Sequence, residues 1–304
     1  MNNKLFFLII FLLAHFGLSA QTNRALLIAI DQYPEESGWL KIHASNDLKI
    51  LLPMLGQNGY KSENICVLLN EAATKQAIIK ALKAMVSQSG RGDHVYIHFS
   101  CHGQNMIDDD GDEDDGLDEA LIPYDALRRY SKGKYEGENH LRDDELNMYL
   151  EKIRKKITSS GNLVVLLDAC HSGTGSREGD DDEYIRGTSA VFSPAGYEIP
   201  EIDSAKTVQR HHQQEKNLSA IAVFGACQAD ETNYEYKDPV TKEYYGRLSY
   251  TFCKIMKNRS EKHSANQIFE ALEREMQALS VNRKRKQTPY YETTDETKSF
   301  YIGK

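Results

Sequence analysis

Short apolar runs alternate with stretches of helical spacing along this chain. RALLIAI (24–30), NICVLLN (64–70), DHVYIHFS (93–100), NLVVLLDA (162–169) and SAIAVFGA (219–226) are β-type runs, and SFYIG near the end suggests a sixth. Helical spacing appears near 45–55, from Thr74 through Met85 with Ala77, Ile78, Ala81, Leu82 and Met85 on one face, and over 143–157, 248–257 and 264–279. Strand–helix alternation of this kind predicts an α/β fold: a mostly parallel central sheet flanked by helices on both faces. The fourth run is apolar enough to be buried on both sides. Two segments break the rhythm. An acidic, loop-rich insert is expected at 104–140, and a long flexible loop at 173–217, where periodicity is absent.

Residues 1–20 read differently. Lys4 precedes the wholly apolar Leu5–Leu13, and Leu18-Ser19-Ala20 ends in a small residue, the pattern of a secretory signal peptide cleaved before Gln21. The expectation is a single exported domain over 21–304, periplasmic or extracellular, with no membrane association after cleavage because no later stretch is apolar enough to span.

Charge adds one feature. Lys and Arg number 37 against 45 Asp and Glu, a net of −8, and nine of the acids crowd Asp108 to Glu119 with no basic residue among them. No basic cluster with interleaved aromatics points to nucleic acid; NRKRK at 282–286 reads as a solvated loop. Five cysteines, 66, 101, 170, 227 and 253, are too sparse for a disulfide framework. Cys66 and Cys253 lie in apolar patterns and are expected to be buried.

The chemistry gathers at two strand ends. The third strand runs into Ser100-Cys101-His102-Gly103 and the fourth into Asp168-Ala169-Cys170-His171-Ser172-Gly173. In a parallel sheet such ends share one rim, where ligands bind. A thiol of ordinary pKa needs a base, which His102 can supply to Cys170. Gly103 lets a backbone N–H approach a substrate carbonyl, and with the N–H of Cys170 forms an oxyanion hole. Cys101 is the rival nucleophile, but adjacent strand residues point to opposite faces, which makes it a poor partner for His102 and a core residue instead. His171 has the same difficulty relative to Cys170. His94 and His98 share a face of the third strand, yet no further ligands complete a metal site.

SCHGQ (100–104) and DACHSG (168–173) resemble the two active-site motifs of the metacaspases, caspase-like cysteine peptidases of family C14 and clan CD. ND at 46–47, DGLDEALIPYD (115–125), LRDDEL (141–146), GACQADETNYE (225–235) and GRLSYTFCKIM (246–256) extend the likeness over nearly all of 21–304. The resemblance implies the caspase-hemoglobinase fold and an endopeptidase with a His102/Cys170 dyad. It implies cleavage after Arg or Lys, with Asp168, Ser100 and Asp47 lining an acidic S1 pocket. Ala44 stands where many members carry Cys, which opens the Arg-versus-Lys balance. Asp118, Asp143 and Asp144 match acidic positions associated with calcium, although DDDGDEDDGLDE does not fit an EF-hand register and also reads as a solvated loop. No organic cofactor is implied. Arg186 and Arg177 are candidates for self-cleavage, expected to be exposed in the flexible tract. Protein or peptide substrates are the expected partners, and the likeness leans toward a monomer. Two alternatives stay open: a clostripain- or gingipain-like peptidase, and a silent caspase-like domain that binds calcium or a partner protein.

Overall fold

The computed structural model describes residues 21–108, 111, 113, 116–171, 184–198, 217–257, 263–280, 286–295 and 299–300. In chain order the strands are β1 (Asn23–Ala29), β2 (Ile65–Leu69), β3 (His94–Ser100), β4 (Gly103–Ile107), β5 (Leu117–Leu121), β6 (Leu141–Arg142), β7 (Asn162–Asp168), β8 (Ala220–Gly225), β9 (Glu235–Lys237), β10 (Tyr244–Gly246), β11 (His263–Ser264), β12 (Tyr290–Thr293) and β13 (Ser299–Phe300). The helices are α1 (Ala44–Gln57), α2 (Lys75–Gln88), α3 (Asp143–Ile157), α4 (Arg247–Lys257) and α5 (Ala265–Ser280). No helix among the described residues is long and apolar enough to cross a membrane.

The central sheet has the order β12-β8-β7-β3-β1-β2; its first five strands in sequence are parallel and β12 runs antiparallel to β8. The period-2 alternation of each strand sorts its side chains between two cores. Ala25, Leu27, Tyr96, Val164, Leu166, Ala222 and Phe224 pack with residues of α1, α4 and α5 on one face. Leu26, Ile28, Val95, Ile97, Phe99, Leu163, Val165 and Ile221 pack with α2 and α3 on the other. Thr74 caps α2 as its spacing predicts, its side chain accepting from the N–H of Ala77 at 3.2 Å.

SFYIG does hold a strand, Ser299–Phe300, which pairs with His263–Ser264 in a separate two-stranded ladder, while the sixth strand of the main sheet is Tyr290–Thr293. Three expectations are corrected. Cys66 is exposed, because β2 lies at the edge of the sheet among the described residues, where the faces of the strand are only partly covered, whereas Cys253 is buried on α4. The acidic insert is built as a hairpin: β4 and β5 pair antiparallel on either side of the acidic tip, and β6 adds to them. The tract expected to be flexible includes a packed stretch, 184–198. There Phe192 joins Trp39, Met106, Ile122 and Tyr135 in a third small core, and its N–H donates to the carbonyl of Asn105 at 2.8 Å.

On β3, the fully buried His98 donates Nε2–H to the Ser249 hydroxyl at 2.8 Å. Burial pulls its pKa down to about 3. The unfolded chain binds a proton here below about pH 6.5, and the native protein does not until far lower. Stability is therefore complete above about pH 6.5 and declines as the pH falls toward 3. This histidine contributes a slope approaching about 1.4 kcal/mol per pH unit. Urea unfolding at pH 7, 6, 5 and 4 should show the decline, and His98→Gln should flatten it by about one proton's worth while lowering stability at pH 7.

Candidate active site

The β3 and β7 strands lie side by side with Ser100 opposite Asp168. One residue past each end the chain turns, and His102 and Cys170 follow on the same rim although 68 positions separate them in sequence. The crossing is close: a Cβ on Gly103 would fall 2.6 Å from the Cys170 carbonyl oxygen, so only glycine fits there. Cys101 points into the core beneath α2 and α3, where burial pushes its thiol up to about 12; it is a core residue, as strand alternation requires. His171 is also held neutral by burial, its pKa drawn down to about 4.

His102 is oriented by the loop after β1. Its ring stacks on Trp39 at 4.9 Å and leans on Tyr33 at 5.3 Å. Its Nε2 lies 2.7 Å from the Leu40 carbonyl oxygen. A carbonyl only accepts, so the proton resides on Nε2 and the lone pair on Nδ1. Burial draws its pKa down to about 4, against the opposing effect of the Leu40 carbonyl, and Nδ1 has no hydrogen-bond partner among the described residues. The ring is a neutral base with its accepting nitrogen unengaged. The Leu40 carbonyl has no sequence signature and escapes sequence reasoning.

Cys170 has a neighbour that its motif does not announce. Cys227, just past the end of β8, stands with its sulfur 3.1 Å from Cys170 Sγ, and both thiols approach the Glu231 carbonyl. Contact with Cys170 and burial together push the Cys227 thiol well above its ordinary pKa.

Asp47, Ser100 and Asp168 converge, and the group they surround is Arg186 of the same chain. Arg186 is completely buried, which overturns the expectation of an exposed cleavage site. The physical reason is charge compensation: a guanidinium leaves water only for a matching set of acceptors. Nη1 donates to Asp47 Oδ2 at 2.8 Å and to Ser100 Oγ at 2.6 Å, with Asp168 Oδ1 at 3.6 Å. Nε and Nη2 donate to Glu235 Oε1 at 3.1 and 2.9 Å. Asp168 is itself held by Asn233 Nδ2 at 2.8 Å and by the N–H and hydroxyl of Ser249 at 2.8 and 2.6 Å. Burial pushes the Asp168 carboxyl up, but Arg186 and these donors outweigh it and keep it below its ordinary range. Glu235 behaves likewise through Arg186 and His43. For Asp47 burial prevails, raising it to about 6. Gly246 forms the wall, where a Cβ would meet the Asp168 carboxylate at 2.1 Å and Arg186 Nη1 at 2.4 Å. Glu235, Asn233, Ser249 and Gly246 all lie inside quoted motif segments, but nothing in their spacing marks them as pocket residues. Arg177 lies outside the described residues.

The backbone of 184–187 threads this rim as an extended segment. Glu235 N–H donates to the Tyr184 carbonyl at 2.9 Å and Arg186 N–H to the Asn233 carbonyl at 3.0 Å. The Arg186 carbonyl accepts from Cys170 N–H at 2.9 Å. Gly187 passes so close that a Cβ would lie 2.0 Å from the Cys170 carbonyl oxygen. Arg186 thus sits with its side chain in the acidic pocket and its carbonyl on the N–H of Cys170.

Farther along the β4–β5 hairpin, Asp118 meets Asp143 and Asp144 from the start of α3, with one ligand oxygen of each within 4.8 Å of the others. Arg142 pairs with Asp118 at the same place. Three converging carboxylates supply a calcium ion with part of the six to eight oxygens it takes, so the donor set is compatible with that ion.

A Geobacter sulfurreducens protein of known crystal structure superposes with a TM-score of 0.60 over 93% of this chain and 97% of that one, at 19% identity, a likeness of fold. "Metacaspase III c" of Phaeodactylum tricornutum is 37% identical over 159 residues, 50% of this chain and 43% of that one. "Metacaspase-1A" of Aspergillus niger is 32% identical over 176 residues, 56% of this chain and 39% of the other. The match thus spans less than half the length of these two relatives. A family description of the caspase domain, peptidase C14, matches residues 22–301. With nearly its whole length covered, the chain belongs to the C14 caspase-domain family.

Proposed function

We propose that this chain is a cysteine endopeptidase that cuts after Arg or Lys and first cuts itself between Arg186 and Gly187. The observation that carries the reading is Arg186: its guanidinium fills the acidic pocket while its carbonyl oxygen rests on Cys170 N–H. In this mechanism His102 Nδ1 takes the thiol proton of Cys170, and the thiolate attacks the carbonyl carbon of the P1 residue. Negative charge collects on the carbonyl oxygen, beside the N–H groups of Cys170 and Gly103. Imidazolium then returns the proton to the departing amine, leaving a thioester at Cys170. Water, deprotonated by the same imidazole, hydrolyses the thioester and regenerates the thiol. The acidic pocket selects against acidic P1 residues by repulsion.

Two additions belong to the same reading. Asp118, Asp143 and Asp144 would hold a calcium ion, which would neutralise the three carboxylates beside Arg142 and brace the β4–β5 hairpin that begins at Gly103. Residues 1–20 direct export, with cleavage before Gln21.

Fluorogenic peptides ending in Arg or Lys should be hydrolysed and the Asp equivalent should not. Cys170→Ala and His102→Ala should each lower kcat/KM on the order of a thousandfold or more; undiminished turnover in either variant refutes the dyad. Wild-type protein should acquire an N-terminus at Gly187 on incubation, and Cys170→Ala should stay intact at that bond. Identical fragments from both proteins would assign the cut to a contaminating protease. A chelator should slow peptide hydrolysis and added calcium restore it, with Asp143→Asn and Asp144→Asn blunting the response; equal rates with and without chelator remove the ion from the mechanism.

A further inference from the structure

Three carboxylates face Arg186, and they do not do the same work. Asp47 and Asp168, with the Ser100 hydroxyl, gather round Nη1. Among the described residues, Glu235 takes Nε and Nη2, both on Oε1. Lysine has no counterpart of that pair of donors. Its Cε methylene occupies the place of Nε, and its nitrogen stands where arginine has the guanidinium carbon. A lysine ammonium can turn its three protons toward acceptors around the pocket, but it can give Glu235 Oε1 at most one N–H where arginine gives two, with a methylene in place of Nε–H.

Glu235 is not free to follow a shorter cation. Oε1 accepts from His43 N–H at 2.8 Å, and Oε2 contacts His43 Nδ1 at 2.6 Å. The His43 ring is pinned in turn, stacked on Tyr244 at 4.9 Å and edge-on to Tyr184 at 4.3 Å. Both side chains of the Arg186–Glu235 pair are wholly shielded from solvent, so water cannot replace the missing donors. A site built to bond particular N–H groups rejects an analogue that lacks them more strongly than a site that merely attracts charge.

We infer that Glu235, clamped by His43, is the specificity-determining residue that makes this pocket prefer Arg to Lys at P1. The inference rests on the basic-P1 reading above and refines it. Asp47 and Asp168 admit a cation; Glu235 reads whether that cation is a guanidinium.

The test compares kcat/KM for matched peptides ending in Arg, Lys and Asp, using the wild type, Glu235→Gln, Glu235→Asp and His43→Ala. Each Arg-to-Lys ratio is taken within one protein, so a loss of active fraction cancels. Wild type should favour Arg about tenfold or more. Glu235→Gln and Glu235→Asp should shrink that ratio at least tenfold, by lowering the Arg value far more than the Lys value, and His43→Ala should shrink it less. Equilibrium binding of the same peptides to Cys170→Ala and Cys170→Ala/Glu235→Gln gives the ratio even if a variant is inactive, because the resident Arg186 competes equally with both peptides. Wild type that cleaves both basic peptides with a ratio the Glu235 variants leave unchanged overturns this inference alone. Wild type that cleaves neither, or prefers Asp, overturns the basic-P1 reading and this inference with it.

Discussion

Three carboxylates buried in one dry pocket cannot stay charged without a cation among them. Asp47, Asp168 and Glu235 are that set, and the guanidinium of Arg186 is their counter-ion. The elements of the active rim meet at this point. Asp47 comes from α1, Ser100 and Asp168 from the ends of β3 and β7, Glu235 from the start of β9, and Ser249 from α4. Removing the cation leaves like charges facing one another at short range, so the empty pocket must take up protons or ions. Arg186 meets that constraint from within the chain. The position of Asp47 shows how finely the balance is set: even with Arg186 in place, burial holds its carboxyl at about 6.

The sheet supplies the geometry that the charges exploit. Parity along the strands sends Tyr96, His98 and Ser100 to the face covered by α1 and α4, and Leu166 and Asp168 with them. The pocket therefore opens on that face. His102 and Cys170, beyond the strand ends, sit above it. Behind the pocket, His98 donates to the Ser249 hydroxyl, which donates to Asp168 Oδ2. That relay fixes the Asp168 carboxylate using a histidine kept neutral by burial. The acidic pocket and the fold thus share buried polar groups, with His98 of β3 fully buried behind Ser249 and Asp168.

Much of this was readable from residue order. The five parallel strands are short apolar runs, and their carboxyl ends carry the two motifs, so the rim and its His and Cys follow from periodicity and chain direction. Asp47, Ser100 and Asp168 came from family likeness, since nothing in their spacing joins them. What escaped has physical reasons. The Leu40 carbonyl that orients His102 is a backbone atom, which every residue possesses. Glu235, Asn233 and Ser249 act through contacts between distant segments. Tyr290–Thr293 is a partly exposed edge strand without an apolar run, and Cys66 is exposed because its strand is an edge too. Arg186 reads as exposed in sequence because a polar, aperiodic tract ordinarily is; its burial depends on an acidic pocket assembled from residues up to 139 positions away.

The same tract that defeats periodicity makes sense once it is treated as a ligand. Residues 184–187 pair with 233–235 as a peptide does when it adds a strand to an exposed edge, with main-chain bonds for affinity and a side-chain pocket for selectivity. Being part of the chain, this ligand is present at an effective concentration far above that of a free peptide of the same sequence. Under the proposed reading, any substrate in solution must displace it. Under the proposed reaction, cleavage after Arg186 changes that contest in two ways. It severs one of the two tethers, and it replaces a neutral carbonyl by a carboxylate directly over the Cys170 N–H. The first change lowers the local concentration of the occupant, and the second sets a negative charge against any thiolate at Cys170. Both favour exchange for an uncleaved substrate, so under the proposed reaction the uncut chain would hold itself in check through the same pocket.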